Sequence, residues 1–242
     1  KQQNDYYCQK ARLMNTAFII LFFSVLIGGG ASWTIKTESL AFRLSLAFSG
    51  AFLFGTILLH LLPELFEGNA YTIGTWVLLG FGIQLFLDFI SKGLEHGHYH
   101  AHGTRLPLLP LLGLFIHSFI EGMPLGEHSG HHHHHGSSEL LWSLVLHKMP
   151  IALLVTSSLR KANISTPLVI GSLVLFALST PLGGLAAGQL AAYEFPMLGI
   201  ATGLLLHVST TILFESSANH QFNAYKLLAV GTGIALSLLL LL

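Results

Sequence analysis

An all-α fold, a bundle of eight helices that each cross a membrane, is what this sequence predicts, and three observations carry the prediction. Only 9% of the 242 residues are charged, where a soluble domain carries about a quarter. Hydrophobic residues make up 52% of the chain, and the mean hydropathy is +0.66. So few charges cannot cover the surface of a water-soluble globule of this size. The third observation is spacing. A spanning helix needs about 20 mostly apolar residues, and runs of that kind recur between short turn-rich breaks.

Taken in order, the first run covers 14–35 and contains Gly28-Gly29-Gly30, which suits close helix packing. The break Ile35–Ser39 ends it, and the second run follows at 40–62, closing on the polar stretch His60-Leu61-Leu62-Pro63-Glu64. The third covers 70–94, and a histidine-rich break up to Pro107 separates it from the fourth, 107–127. A second histidine-rich break leads to the fifth run, 138–160, interrupted by Pro150. The sixth, 164–190, holds Pro181 and Gly183-Gly184; the seventh covers 195–217 and the eighth 224–242. No linker is long enough to divide the chain, so residues 1–242 read as one transmembrane domain, and no internal repeat is visible.

Loop charge orients the bundle. In or beside the connections after helices 1, 3, 5 and 7 lie Lys36, Arg43, Lys92, Arg105, Arg160, Lys161 and Lys226, whereas those after helices 2, 4 and 6 hold no Lys or Arg. The odd connections are therefore expected in the cytoplasm and both termini outside it. Lys1, Lys10 and Arg12 argue the other way, but the loop bias is stronger, and a removed signal segment would accommodate an external N-terminus. Net charge is zero, which gives no support for a nucleic-acid partner. The lone Cys8 excludes an internal disulfide framework. No GxxxxGK[ST] motif is present, so nucleotide hydrolysis by this chain is not expected to drive anything.

Ionisable groups cost roughly 2.5–3.5 kcal/mol each at the centre of a spanning helix on insertion scales, so those inside the apolar runs are functional candidates. His117 and Glu121, four apart on the fourth helix, share one face, and an imidazole with a carboxylate makes half of a tetrahedral site for a borderline metal. His147 on the fifth helix adds a third donor beside Pro150, which frees a backbone carbonyl one turn earlier. On the second helix His60 and Glu64 repeat the i, i+4 spacing; a solvated interfacial carboxylate suits Glu64 as well as a pathway role does. His207, midway along the seventh helix, is read either as a ligand or as a hydrogen-bonded packing residue, and Asp88 as the partner of Lys92 in a helix-face ion pair. The chain carries fifteen histidines. Those at 96, 98, 100 and 102 and those at 128 and 131–135 sit in loops. Loose metal binding explains such tracts by composition; solvated loops, or for the five-His run an engineered tag, explain them too. Flexible tracts do not fix coordination geometry.

At these residues the chain resembles the ZIP (Zrt/Irt-like) metal transporters. The stretches that carry the resemblance are HSFIEGMPLG (117–126) and HKMPIALL (147–154), supported by SGAFLFGTILLHLLPE (49–64), FALSTPLGGLAAG (176–188) and ATGLLLHVSTTILFE (201–215). The resemblance implies an eight-helix bundle with external termini and metal movement toward the cytoplasm. It implies His117, Glu121 and His147 at the primary site, with His60 and Glu64 at polar second-helix positions. Many members carry two adjacent metal sites. Here Ser118 stands for an Asn, Lys148 for a metal-binding acid, Ile151 at a later ligand position and Thr180 where helix 6 can carry Glu. Ser118 and Lys148 thus substitute for a second site, and one metal site is expected. A subgroup of the family shares the His-Lys pair.

The mixed His/carboxylate set favours zinc, and Cd²⁺, Fe²⁺, Mn²⁺ and Co²⁺ are compatible with it; no organic cofactor is expected. Partners are the divalent ion and the lipid bilayer of the cell (inner) membrane, and a homodimer is left open. Two rivals to transport remain. One is a membrane-embedded hydrolase with His117, His147 and His207 on zinc and Glu121 as general base. The other is a metal sensor that binds without transporting.

Overall fold

A computed structural model describes residues 2–66, 70–91, 106–126, 136–215 and 224–240. Among them the regular structure is helical throughout, with no strand. Eight helices follow one another: α1 (Gln2–Ala31), α2 (Leu40–Phe66), α3 (Ala70–Ser91), α4 (Leu108–Gly126), α5 (Gly136–Lys161), α6 (Thr166–Gln189), α7 (Glu194–Glu215) and α8 (Ala224–Leu239). Seven are long and apolar enough to cross a membrane. The eighth falls short of the expected full span, with 16 residues. α1 begins well before the apolar run that announces it, because the helix continues through the polar residues ahead of Met14. Both histidine-rich tracts and Lys92 lie outside the described residues.

Local chemistry sets several helix ends. Ser39 caps α2, its hydroxyl accepting from the Phe42 amide at 3.2 Å. α5 stops at Asn163, whose φ of 56° lies in the left-handed region. Ile164 N–H returns to the Leu159 carbonyl at 3.2 Å and Asn163 N–H to Arg160 at 3.0 Å, closing the helix in a Schellman turn. Extended Ser165 and Pro167 in the first turn then restart the chain as α6. At the same end of the molecule Arg160 donates to the Ser32 carbonyl at 2.9 Å and stacks on the Trp33 ring. Lys161 pairs with Glu38 there and holds that carboxyl below its usual range.

The helices pair most closely as α4 with α6, α3 with α7, α2 with α8 and α1 with α5, and glycine mediates each pairing. A Cβ on Gly122 or Gly126 would strike the carbonyls of Thr180 or Gly184 on α6; on Gly203, that of Val77 on α3. Gly233 meets Phe48 of α2, and Gly28 meets Met149 of α5. Lipid tails are as apolar as leucine, so helices in a bilayer associate through such close backbone approach. The contacts divide the molecule into α1, α4, α5 and α6 on one side and α2, α3, α7 and α8 on the other, joined where α5 meets α2 and where α4 meets α3 and α7.

The surface is inverted relative to a soluble protein. Phe23, Ile27, Leu78, Phe86, Phe89, Leu182 and Phe214 point outward, while Gln84, His117, Glu121, His147 and Lys148 are buried. Embedded hydroxyls bond the carbonyl three or four residues back, as Ser24 does to Leu21, Thr56 to Phe52 and Ser179 to Leu175. Such bonds satisfy polar groups in a medium that offers no water.

Candidate metal centre

His117 falls half-way along α4, and Glu121 follows one turn later on the same face. α4 and α5 make few backbone contacts with each other, so the space between them is bridged by side chains. From α5, His147 and Lys148 enter that space. His117, Glu121, His147 and Lys148 are each at most 1% exposed. One donor atom from each of His117, Glu121 and His147 can be chosen so that all three lie within 4.8 Å of one another. Ligands about 2.0–2.2 Å from a zinc ion stand some 3–4 Å apart, so the three side chains need close in only slightly to share a single ion.

Lys148 completes the charge balance. Its ammonium lies 2.8 Å from Glu121 Oε2 and donates to Ser118 Oγ at 2.7 Å. Its Nζ also stands 4.9 Å from the centre of the Phe176 ring. Proton directions around Ser118 follow uniquely. Lysine only donates, so Ser118 Oγ accepts from it. Thr180 Oγ1 donates to the Ser118 carbonyl at 3.1 Å, so the Ser118 hydroxyl donates to Thr180 Oγ1 across 2.9 Å. Ser118, Lys148 and Thr180 thus form one bonded group. Glu121 Oε1 is buried and has no hydrogen-bond partner, which leaves it as the carboxylate oxygen on offer to a cation.

A second network continues from His117 toward α3 and α7. His117 Nδ1 lies 3.0 Å from Gln84 Oε1, Gln84 Nε2 donates to Asp88 Oδ1 at 3.0 Å, and Asp88 Oδ2 is 3.4 Å from His207 Nδ1. The His207 ring packs edge-on to Phe81. His207 therefore stands beside Asp88 rather than in the cluster with His117 and His147. The expected Asp88–Lys92 pair involves a residue outside the described set, and Asp88 turns toward Gln84 and His207. Gln84 escaped the sequence reading, although its i, i+4 spacing to Asp88 on an apolar helix repeats that of His117 and Glu121 and was a usable signal. His60 lies in a π-helical turn, Ile57–Leu61, within α2, with its Nε2 buried and lacking a hydrogen bond. Single π turns recur at functional sites. Glu64, one turn on, is exposed. Neither joins the His117 cluster.

The chain matches the family described as ZIP Zinc transporter over residues 95–241, more than half its length. The match takes in α4 to α8, and with them His117, Glu121, His147, Lys148 and His207; His60, Glu64, Gln84 and Asp88 lie before it. Comparison with curated proteins gave no match.

Proposed function

This chain belongs to the ZIP zinc transporter family, an integral membrane family of divalent metal transporters, and from that premise we propose the following path. Zinc is the preferred ion, it moves toward the cytoplasm with both termini outside, and one intramembrane site on His117, Glu121 and His147 holds it in transit. The observation that carries this reading is the buried cluster itself. Two imidazoles and a carboxylate converge within 4.8 Å, where three ionisable groups in apolar helices have no packing rationale.

Charge explains how such a site both takes and releases an ion. With Lys148 beside Glu121 the empty pair is electrically balanced. An arriving Zn²⁺ takes Glu121 Oε1 and the two imidazoles and meets no excess negative charge that would hold it. A transport site has to replace hydration and still let go. Lys148 stands as a fixed cation where a second metal would need an acid, so the reading is of one ion at a time. His60 and Glu64 serve the external approach. Access alternates by rigid-body movement of one helix group against the other.

The test is zinc uptake into proteoliposomes by the purified protein and by His117→Ala. Saturable uptake that the substitution abolishes is the expected result. Tight zinc binding that needs His117 but is accompanied by no flux would favour a sensor or an embedded hydrolase instead.

A further inference from the structure

Resting on the reading of His117 as a ligand, we propose that Gln84 and Asp88 of α3 are positioning residues that set the tautomer of His117, so that Nε2 presents its lone pair to the metal.

A carboxylate only accepts, so the group that Gln84 turns toward Asp88 Oδ1, 3.0 Å away, is its amide NH₂. The amide is planar, so its oxygen faces the other way, and Oε1 meets His117 Nδ1 at 3.0 Å. A carbonyl oxygen also only accepts. The proton on the imidazole must therefore sit on Nδ1, and in neutral His117 the lone pair is left on Nε2. That nitrogen faces Glu121 Oε2 across 3.4 Å, longer than an N–H···O bond ordinarily spans. A lone pair beside a carboxylate whose Oε1 accepts no hydrogen bond suits a cation held by both groups. A reversed Gln84 would set carbonyl against carboxylate and NH₂ against Nδ1; His117 would then carry its proton on Nε2, aimed at the ion's position. Gln84 is fully buried, so no bulk water offers the amide an alternative partner. Asp88 is held in turn beside His207.

A metal-bound histidine normally gives its other N–H to an oriented acceptor, and loss of that acceptor costs about 10–100-fold in affinity or activity. What is specific here is that an acid one residue further out dictates the orientation of a neutral amide. Asp88→Asn keeps the size and hydrogen bonding of the side chain but can donate as well as accept. It should let the Gln84 amide turn.

The experiment uses full-length protein labelled with ¹⁵N-histidine, without metal, in lipid bilayers. The His117 signals are identified by their loss in His117→Gln. In the parent protein Nδ1 should show the protonated shift and Nε2 the unprotonated one. Asp88→Asn should mix or reverse them and raise the zinc concentration for half-maximal uptake by about 10–100-fold. Exchanging the two roles, Gln84→Glu with Asp88→Asn, puts an acceptor back against Nδ1 and a donor behind it, and should restore both the shifts and the uptake. An unchanged His117 tautomer and unchanged half-saturation in Asp88→Asn and in Gln84→Leu would overturn the proposal. So would a double variant that folds but restores neither. Zinc uptake that survives in His117→Gln would instead remove the reading of His117 as a ligand, with the tautomer result standing on its own.

Discussion

Lys148 and Glu121 form a buried ion pair 2.8 Å apart, a contact that is costly to break. Removing one member of a buried ion pair typically costs about 3–5 kcal/mol, because the other charge is left stranded in a low dielectric. Lys148→Met should therefore lower the melting temperature of the metal-free protein substantially. If zinc takes Glu121 Oε1, added zinc should recover more of that stability in the variant than it adds to the parent, as read by thermal unfolding with and without the metal. Lys148→Glu tests the one-ion reading directly: replacing the fixed cation by an acid should raise bound zinc from one ion to two per chain in equilibrium dialysis, and a stoichiometry that stays at one would count against it. At this scale the sequence already pointed to His117, Glu121, His147 and Lys148, since ionisable residues in apolar runs are conspicuous. It gave Gln84 no prominence, because a neutral amide is neither charged nor an ordinary zinc ligand, and its role exists only through what it touches.

Among the elements, some glycines pass another backbone and others face open space. A methyl group at Gly203 would strike the Val77 carbonyl, and backbone atoms in a helix cannot step aside as a flexible side chain can. Gly203→Ala should cost about 1–3 kcal/mol, as overpacking does. Gly171 has nothing near its missing Cβ, and Gly171→Ala should leave stability unchanged or raise it by up to about 1 kcal/mol through helix propensity. Thermal melts of the two variants in detergent micelles compare them. Runs of apolar residues announced all eight helices. They did not reveal that one α2 turn is π-helical, since a π turn has no sequence pattern of its own.

For the whole molecule, orientation is the property to test. Lys36, Arg43, Arg160 and Lys161 gather at one end of the bundle, where Arg160 and Lys161 tie the end of α5 to the α1–α2 connection. In a Cys8→Ser background, Lys36→Cys should react with a membrane-impermeant maleimide only after cells are permeabilised, and Ala192→Cys should react in intact cells. The opposite pattern would invert the proposed direction of transport. The His117–Gln84 bond joins α4 to α3, and so crosses between the two helix groups. Sliding of one group against the other would have to break it.

The sequence by itself determined the membrane environment, the number of helices and the short roster of candidate ligands, because each follows from counts and spacings along one chain: apolar length, loop charge and i, i+4 periodicity. The trio of His117, Glu121 and His147 was already expected from the resemblance; the tertiary structure alone decided which other candidates join it or stand apart. It set Lys148 against Glu121 and stationed His207 with Asp88. The physical reason is that a helix face is a local property, whereas the neighbour across it depends on where glycines let two backbones touch, and that is settled by all eight helices packing together.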